Sequence, residues 1–250
     1  MPHLPLVDPD RRLVVFWTPR CGSTTLLTWF FHAIGLGDEL RSRSAHTLRV
    51  AWQREHGPDA AELAELYRRP DVRTVVVCRD PIERAVSSYY LALTSTSSQW
   101  NAIREARPEL DETRRLSFDG FLDYLESVDL ETCDLHWRLQ SAQDWHRLGL
   151  DVDRFVRTES LAEDLEALGR DTGLAGPVRH ASVTPRSDVE APADLPTLDL
   201  AELAAVLPRD ERDRLRLPPA DAFLVGGRRE RVARIYGRDL EALPYPSPVA

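Results

Sequence analysis

The chain has 250 residues, 41 acidic against 32 basic, a formal net charge of −9 with histidines neutral, and 42% hydrophobic side chains. That size fits one α/β domain over 1–250, and that composition excludes wholesale disorder, a coiled coil and a collagen-like fibre. The acidic balance speaks against a general nucleic-acid binder, no window approaches the run of about 18 apolar residues a membrane helix needs, and no secretory signal is legible before Pro9.

In chain order, the first strong segment is the apolar run Leu13-Val14-Val15-Phe16-Trp17, which predicts a buried strand ending at Thr18-Pro19-Arg20-Cys21-Gly22. A buried helix is expected from Ser23 to Ile34, stopped by Gly35 and Gly37. A polar stretch from Asp38 to Gly57 precedes a helix predicted over Asp59–Arg69. Thr74-Val75-Val76-Val77-Cys78 is a second buried strand. It runs into a helix that Asp80 caps, Pro81 opens and Glu83 supports in a capping box, with Ile82, Val86, Tyr89, Tyr90 and Leu93 turned inward.

From Ser95 to Leu130 one helix is predicted, Phe118–Leu125. Phe155-Val156-Arg157 reads as a third strand. Ser160 and Glu163 form a capping-box pattern, with Gly169 placed to end the helix that follows. Residues 184–219, rich in proline and acid, read as a surface excursion, and Glu230–Leu243 as a closing helix.

Cys21, Cys78 and Cys133 are odd in number and far apart, which argues for reduced thiols and against a disulfide framework or a zinc cage. With no membrane helix and no secretory signal legible, a cytoplasmic location is expected. Every basic residue apart from histidine is arginine. Any phosphate or sulfate must therefore be held by arginine forks, backbone amides and hydroxyls.

Two segments have that make-up. Thr18-Pro19-Arg20-Cys21-Gly22-Ser23-Thr24-Thr25 lies between a strand and a helix, where amides and the positive helix end converge on an anion. Gly22 permits close backbone approach, Ser23, Thr24 and Thr25 add hydroxyls, and Arg20 adds charge. Arg79, Arg84 and Ser87 stand at the end of the second strand and on the helix after it, as a second phosphate would require.

Together these segments resemble the two donor-binding motifs of sulfotransferases that use 3′-phosphoadenosine 5′-phosphosulfate, nearest the carbohydrate-type, family 2 branch. Thr18 to Leu26 is similar to that family's 5′-phosphosulfate loop, and Arg79-Asp-Pro-Ile-Glu-Arg-Ala-Val-Ser-Ser-Tyr89 to its 3′-phosphate motif. Further similarity runs through Asp134-Leu-His-Trp-Arg-Leu-Gln140, Phe155 to Asp164 and Ile235 to Tyr245.

The resemblance implies a single P-loop-like, three-layer domain with a central, mainly parallel sheet flanked by helices. It assigns Arg20, Cys21, Gly22, Ser23, Thr24, Thr25, Arg79 and Ser87 to the donor, PAPS, whose product is adenosine 3′,5′-bisphosphate. No metal is required. The acceptor is expected to be a small molecule, a glycan or a lipid, and the enzyme a soluble bacterial one. Two departures stand out: many relatives carry lysine at the position of Arg20, and an asparagine often found near Ala181–Thr184 is missing.

Sulfuryl transfer also needs a base to take the acceptor's proton, a histidine or carboxylate in this family. His46, between the two motifs, is the first choice; His56 and His136 compete with it. Arg20 is the expected electrostatic partner in catalysis. The alternatives are a non-catalytic nucleotide-binding module of the same fold, or a divergent kinase or nucleoside triphosphatase. The latter lacks its Gly-x-x-x-x-Gly-Lys-Ser/Thr loop here.

Overall fold

Leu13–Trp17 (β2) and Arg73–Cys78 (β3) are runs of apolar, largely β-branched residues, and both pair as parallel strands in register Leu13↔Arg73 to Trp17↔Val77. Arg154–Arg157 (β4) adds to β3 in parallel, Val75↔Arg154 to Cys78↔Arg157. Leu6–Val7 (β1), unforeseen because it is only two residues long, pairs antiparallel with β2, giving the order β1-β2-β3-β4. The architecture is thus α/β, with a mostly parallel sheet flanked by helices. A computed structural model describes residues 4–10, 12–94, 98–108, 116–178, 189–190, 215–216 and 219–246.

The chain packs as two compact units, Met1–Arg79 with Gln140–Ala181, and Asp80–Leu139 with Ser182–Ala250. The first unit holds the four-stranded sheet. Its strands alternate faces, so Leu13, Val15, Trp17, Val75, Val77 and Val156 bury one side against Ser23–Ala33 (α1) and Leu161–Thr172 (α8), with Leu26, Phe30, Leu165 and Leu168 in the same core. Full burial of each such side chain is worth about 1.5–3 kcal/mol. On the opposite face Phe16 meets Tyr67 at 5.8 Å between rings, and Phe155 meets Trp145 at 5.9 Å.

The expected strands and α1 are where the sequence placed them, and Gly35 follows the end of α1 at φ 82°. The stretch 38–57 differs: it contains a helix, Ala45–His56 (α2). Ser44 caps it by accepting the Thr47 amide, and only Ala45 and Leu48 are fully buried, so its apolar stripe is too narrow to stand out in a polar sequence. Ala60–Leu66 (α3) is shorter than predicted but opens with a complete capping box, Asp59 with Glu62.

The box expected at Ser160 does not form. Thr158–Ser160 is a short 3₁₀ turn, and the Ser160 hydroxyl and the Arg157 amide both donate to Asp164. Nor does Gly169 end α8, which continues to Thr172 and stops at Gly173 with φ 74°. Gly169 is buried inside the helix, where an added Cβ would come within 2.6 Å of the Leu174 carbonyl.

The second unit is mainly helical among the described residues: Pro81–Thr94 (α4), Ser98–Ala106 (α5), Phe118–Ser127 (α6), Arg228–Ile235 (α9) and Gly237–Ala242 (α10), with one short parallel pair, Val189–Glu190 against Leu215–Arg216, while Asp144–Arg147 (α7) belongs to the first unit. Asp80 caps α4 through the Ile82 amide at 2.8 Å, as expected. The expected closing helix is two, broken at Tyr236, whose hydroxyl donates to the Trp137 carbonyl. Tyr89, Phe118, Phe121, Tyr124, Trp137 and Phe223 form the core by mostly edge-on and tilted contacts, with ring centroids 5.2–5.8 Å apart for Tyr89 with Phe118, Phe121 and Phe223. The excursion expected at 184–219 lies almost wholly outside the described residues, as do Ala181–Thr184.

Candidate active site

Parallel pairing puts the C-terminal ends of β2, β3 and β4 on one edge of the sheet, so Thr18–Gly22, Arg79 and Thr158 gather there. The loop after β2 is tight. The Cys21 amide donates back to the Thr18 carbonyl, and the Leu26 amide closes the first turn of α1 onto the Gly22 carbonyl. Two residues in it adopt left-handed backbone, Gly22 at φ 66° and Arg20 at φ 70°. Arg20 is the one non-glycine residue with positive φ among those described, a conformation that costs about 1–2 kcal/mol for an L-residue. A Cβ at position 22 would meet Leu161 Cδ2 at 2.5 Å.

No side chain caps α1 at Gly22. The amides of Ser23, Thr24 and Thr25 have no acceptor within the helix, by the geometry of any helix start, and the positive end of the helix dipole lies with them. Ser23 and Thr24 are half-buried and Thr25 is buried. Three amides and two part-exposed hydroxyls at a helix start form a donor set suited to an anion.

The remaining predicted residues fall as follows. The Cys21 thiol is fully buried, bonded to Thr18 Oγ1 at 3.1 Å and donating to Gln140 Oε1 at 3.1 Å. Arg79 is half-buried and its Nη1 reaches the Arg20 carbonyl at 3.5 Å. Ser87 lies buried on α4 in the second unit.

Arg84 does not present its charge to solvent. It is 1% exposed and donates to the carbonyls of Arg138 at 2.8 Å and Leu135 at 3.3 Å, so it fixes the segment around His136.

Of the histidines, His46 sits at the exposed start of α2 with Nε2 3.3 Å from Thr24 Oγ1 and its ring 6.4 Å from that of Trp17. His56, ten residues further along α2, is displaced from His46 by about 15 Å of helix rise. Its ring lies 4.1 Å from that of Trp52, tilted by 40°, and neighbours Glu55, away from the loop end of the helix. Val7, Asp8, Trp52, Glu55, His56 and Glu62 line a cleft of about 400 Å³ there. In the second unit His136 Nδ1 lies 2.7 Å from Asp134 Oδ1. Burial pushes the Asp134 pKa up, but the hydrogen bonds from the His136 ring and amide, with the charges of His136 and Arg138, outweigh it and hold the carboxyl below its usual range.

Two features were not foreseen. Gln140 is 1% exposed and accepts from the Arg79 amide at 3.0 Å while donating to the Arg79 carbonyl at 2.9 Å. Arg49, one turn beyond His46, lies over the Trp17 ring at 5.5 Å, and burial lowers its pKa. With α2 unread in the sequence, nothing marked Arg49, and Gln140 left no signal beyond its motif. Among the described residues, no group of three or more His, Cys, Asp or Glu side chains is placed to hold a metal ion, and no helix is long and apolar enough to cross a membrane.

Comparison with known proteins identifies the chain's family. No curated protein and no solved structure matches the chain. A family model described as Sulfotransferase family matches residues 5–246, from before β1 to beyond α10. The loop after β2, the arginine after β3 and the helices that follow them all lie within that match: the chain belongs to the sulfotransferase family, in its family 2-like branch.

Proposed function

We propose that this sulfotransferase takes its sulfuryl group from 3′-phosphoadenosine 5′-phosphosulfate and passes it, by in-line displacement, to a hydroxyl or amine of a small-molecule, glycan or lipid acceptor. The observation that carries the reading is the uncapped start of α1, where Gly22 turns the backbone and Thr24 meets His46. The donor supplies an activated sulfuryl group whose departure leaves charge on a 5′-phosphate. The Ser23, Thr24 and Thr25 amides, with Arg20, oppose that charge with groups already in place. Cys21 and Gly22 shape the loop, and Arg79 takes the 3′-phosphate; Ser87 is assigned to that phosphate by the resemblance of its motif alone.

His46 takes the acceptor's proton at Nε2, the atom that Thr24 keeps beside the loop. Residues 1–250 act as one catalytic domain in this reading. The thiols of Cys21, Cys78 and Cys133, none in a disulfide, suit a reducing compartment, the cytoplasm.

Titration calorimetry with adenosine 3′,5′-bisphosphate in magnesium-free buffer tests the donor assignment. The expected result is binding by the wild type and weaker binding by both Arg20→Ala and Ser87→Ala, with their melting transitions retained. Unchanged affinity in both variants removes the assignment, and strict dependence on magnesium favours a triphosphatase. Transfer of labelled sulfate across an acceptor panel separates an enzyme from a binding module.

A further inference from the structure

Beyond Cys78 the β-ladders run out: Val77 is the last residue of β3 paired with β2, and Cys78 the last paired with β4. The amide and carbonyl of Arg79 nevertheless both have partners, because the side chain of Gln140 takes the place of another strand. Its carboxamide donates to one group and accepts from the other, 61 residues away in sequence. The same Oε1 accepts the Cys21 thiol, which is bonded in turn to the Thr18 hydroxyl. A single buried amide thus joins the backbone that carries Arg79 to the middle of the loop after β2. The Arg79 guanidinium closes a second link at the Arg20 carbonyl.

We infer that Gln140 is a positioning residue that sets the distance between the two anion grips, the loop Thr18–Thr25 and Arg79, through Cys21. The inference rests on the donor reading above, in which those grips take opposite ends of one doubly phosphorylated nucleotide. Gln140 touches neither end. Its effect is geometric: with both Arg79 backbone groups and the Cys21 thiol fixed to one carboxamide, the side chain of Arg79 leaves the sheet from a defined point relative to the α1 amides. A ligand bound at both grips uses that spacing, whereas a ligand bound at one does not. Cys21 is then a strut whose thiol serves the fold, which accounts for its complete burial in a loop otherwise built to meet an anion.

The test compares adenosine 3′,5′-bisphosphate with adenosine 5′-monophosphate, by calorimetry, on the full chain. Wild type binds the bisphosphate more tightly, and the ratio of the two affinities measures use of the second grip. Gln140→Leu lowers that ratio about tenfold or more, Gln140→Glu lowers it less because one oxygen still accepts from the Arg79 amide, Cys21→Ala lowers it, and Cys21→Ser restores it. A merely structural loss scales both ligands alike and leaves the ratio where it was.

If wild type does not discriminate between the two nucleotides, the donor reading falls and this inference with it. If wild type discriminates and Gln140→Glu and Cys21→Ala keep the wild-type ratio, the coupling is refuted and the donor reading stands. Cys21→Ala removes a single heavy atom, Sγ, and lies outside the strands, so the comparison does not depend on the Gln140 variants folding.

Discussion

Thr24 Oγ1 and His46 Nε2 lie 3.3 Å apart, which ties the first turn of α1 to the first turn of α2. The contact holds an imidazole beside the helix end whose amides lack intrahelical acceptors. Replacing His46 by alanine is expected to lower turnover by about two to four orders of magnitude, the usual size of a lost general base, with bisphosphate affinity unchanged. Labelled-sulfate turnover alongside calorimetry checks this. Full activity in the variant would shift the role to the Asp134–His136 pair or to a carboxylate.

Gly22→Ala is expected to cost about 1–2 kcal/mol through its left-handed backbone alone. The steric part, against Leu161 Cδ2, is borne by the end of a flexible side chain and adds little. Denaturant midpoints of Gly22→Ala against wild type, and of the Gly22→Ala/Leu161→Ala double variant against Leu161→Ala alone, separate the two: most of the loss should persist in the second comparison. Recovery there would mean that space, not conformation, selects glycine.

Arg84 is expected to behave as a structural residue. Its buried guanidinium satisfies the Leu135 and Arg138 carbonyls, so Arg84→Met should lower stability by about 2–4 kcal/mol. Urea titration reads the loss. A variant as stable as wild type would show that those carbonyls find other donors.

The Asp134 carboxyl has its pKa depressed in the folded chain, so its contribution is present above the ordinary carboxylate value of about 4 and is lost as pH falls through the lower folded value. Asp134→Asn is therefore expected to be less stable than wild type at neutral pH, by about 1–3 kcal/mol for its charged hydrogen bonds, and the gap should close in acid. Unfolding curves at pH 7 and pH 3 measure it. A gap that is constant with pH would place the stabilisation elsewhere.

Legibility followed the range of the interaction. β2, β3 and β4 could be read from local apolar runs, and the tight turn after β2 from a strand followed by Pro19, Gly22 and a buried helix. α2 could not, since tertiary burial of Ala45 and Leu48, not its sequence average, keeps it folded. Ser160–Glu163 had the letters of a capping box, but Asp164 competes for the Ser160 hydroxyl and wins. Arg84 appeared as a second anion ligand because its carbonyl partners lie 51 and 54 residues away. Gln140 belongs with it: a side chain standing in for a strand has no local signature.

The backbone at Arg20 sets folding comfort against charge at a single codon. Glycine there would relax the turn and strip it of its cation. A selection for heat tolerance alone would therefore drift toward glycine or asparagine at position 20; in the proposed donor reading that exchange strips the loop of its cation, so thermal hardening of the protein has to leave that position alone.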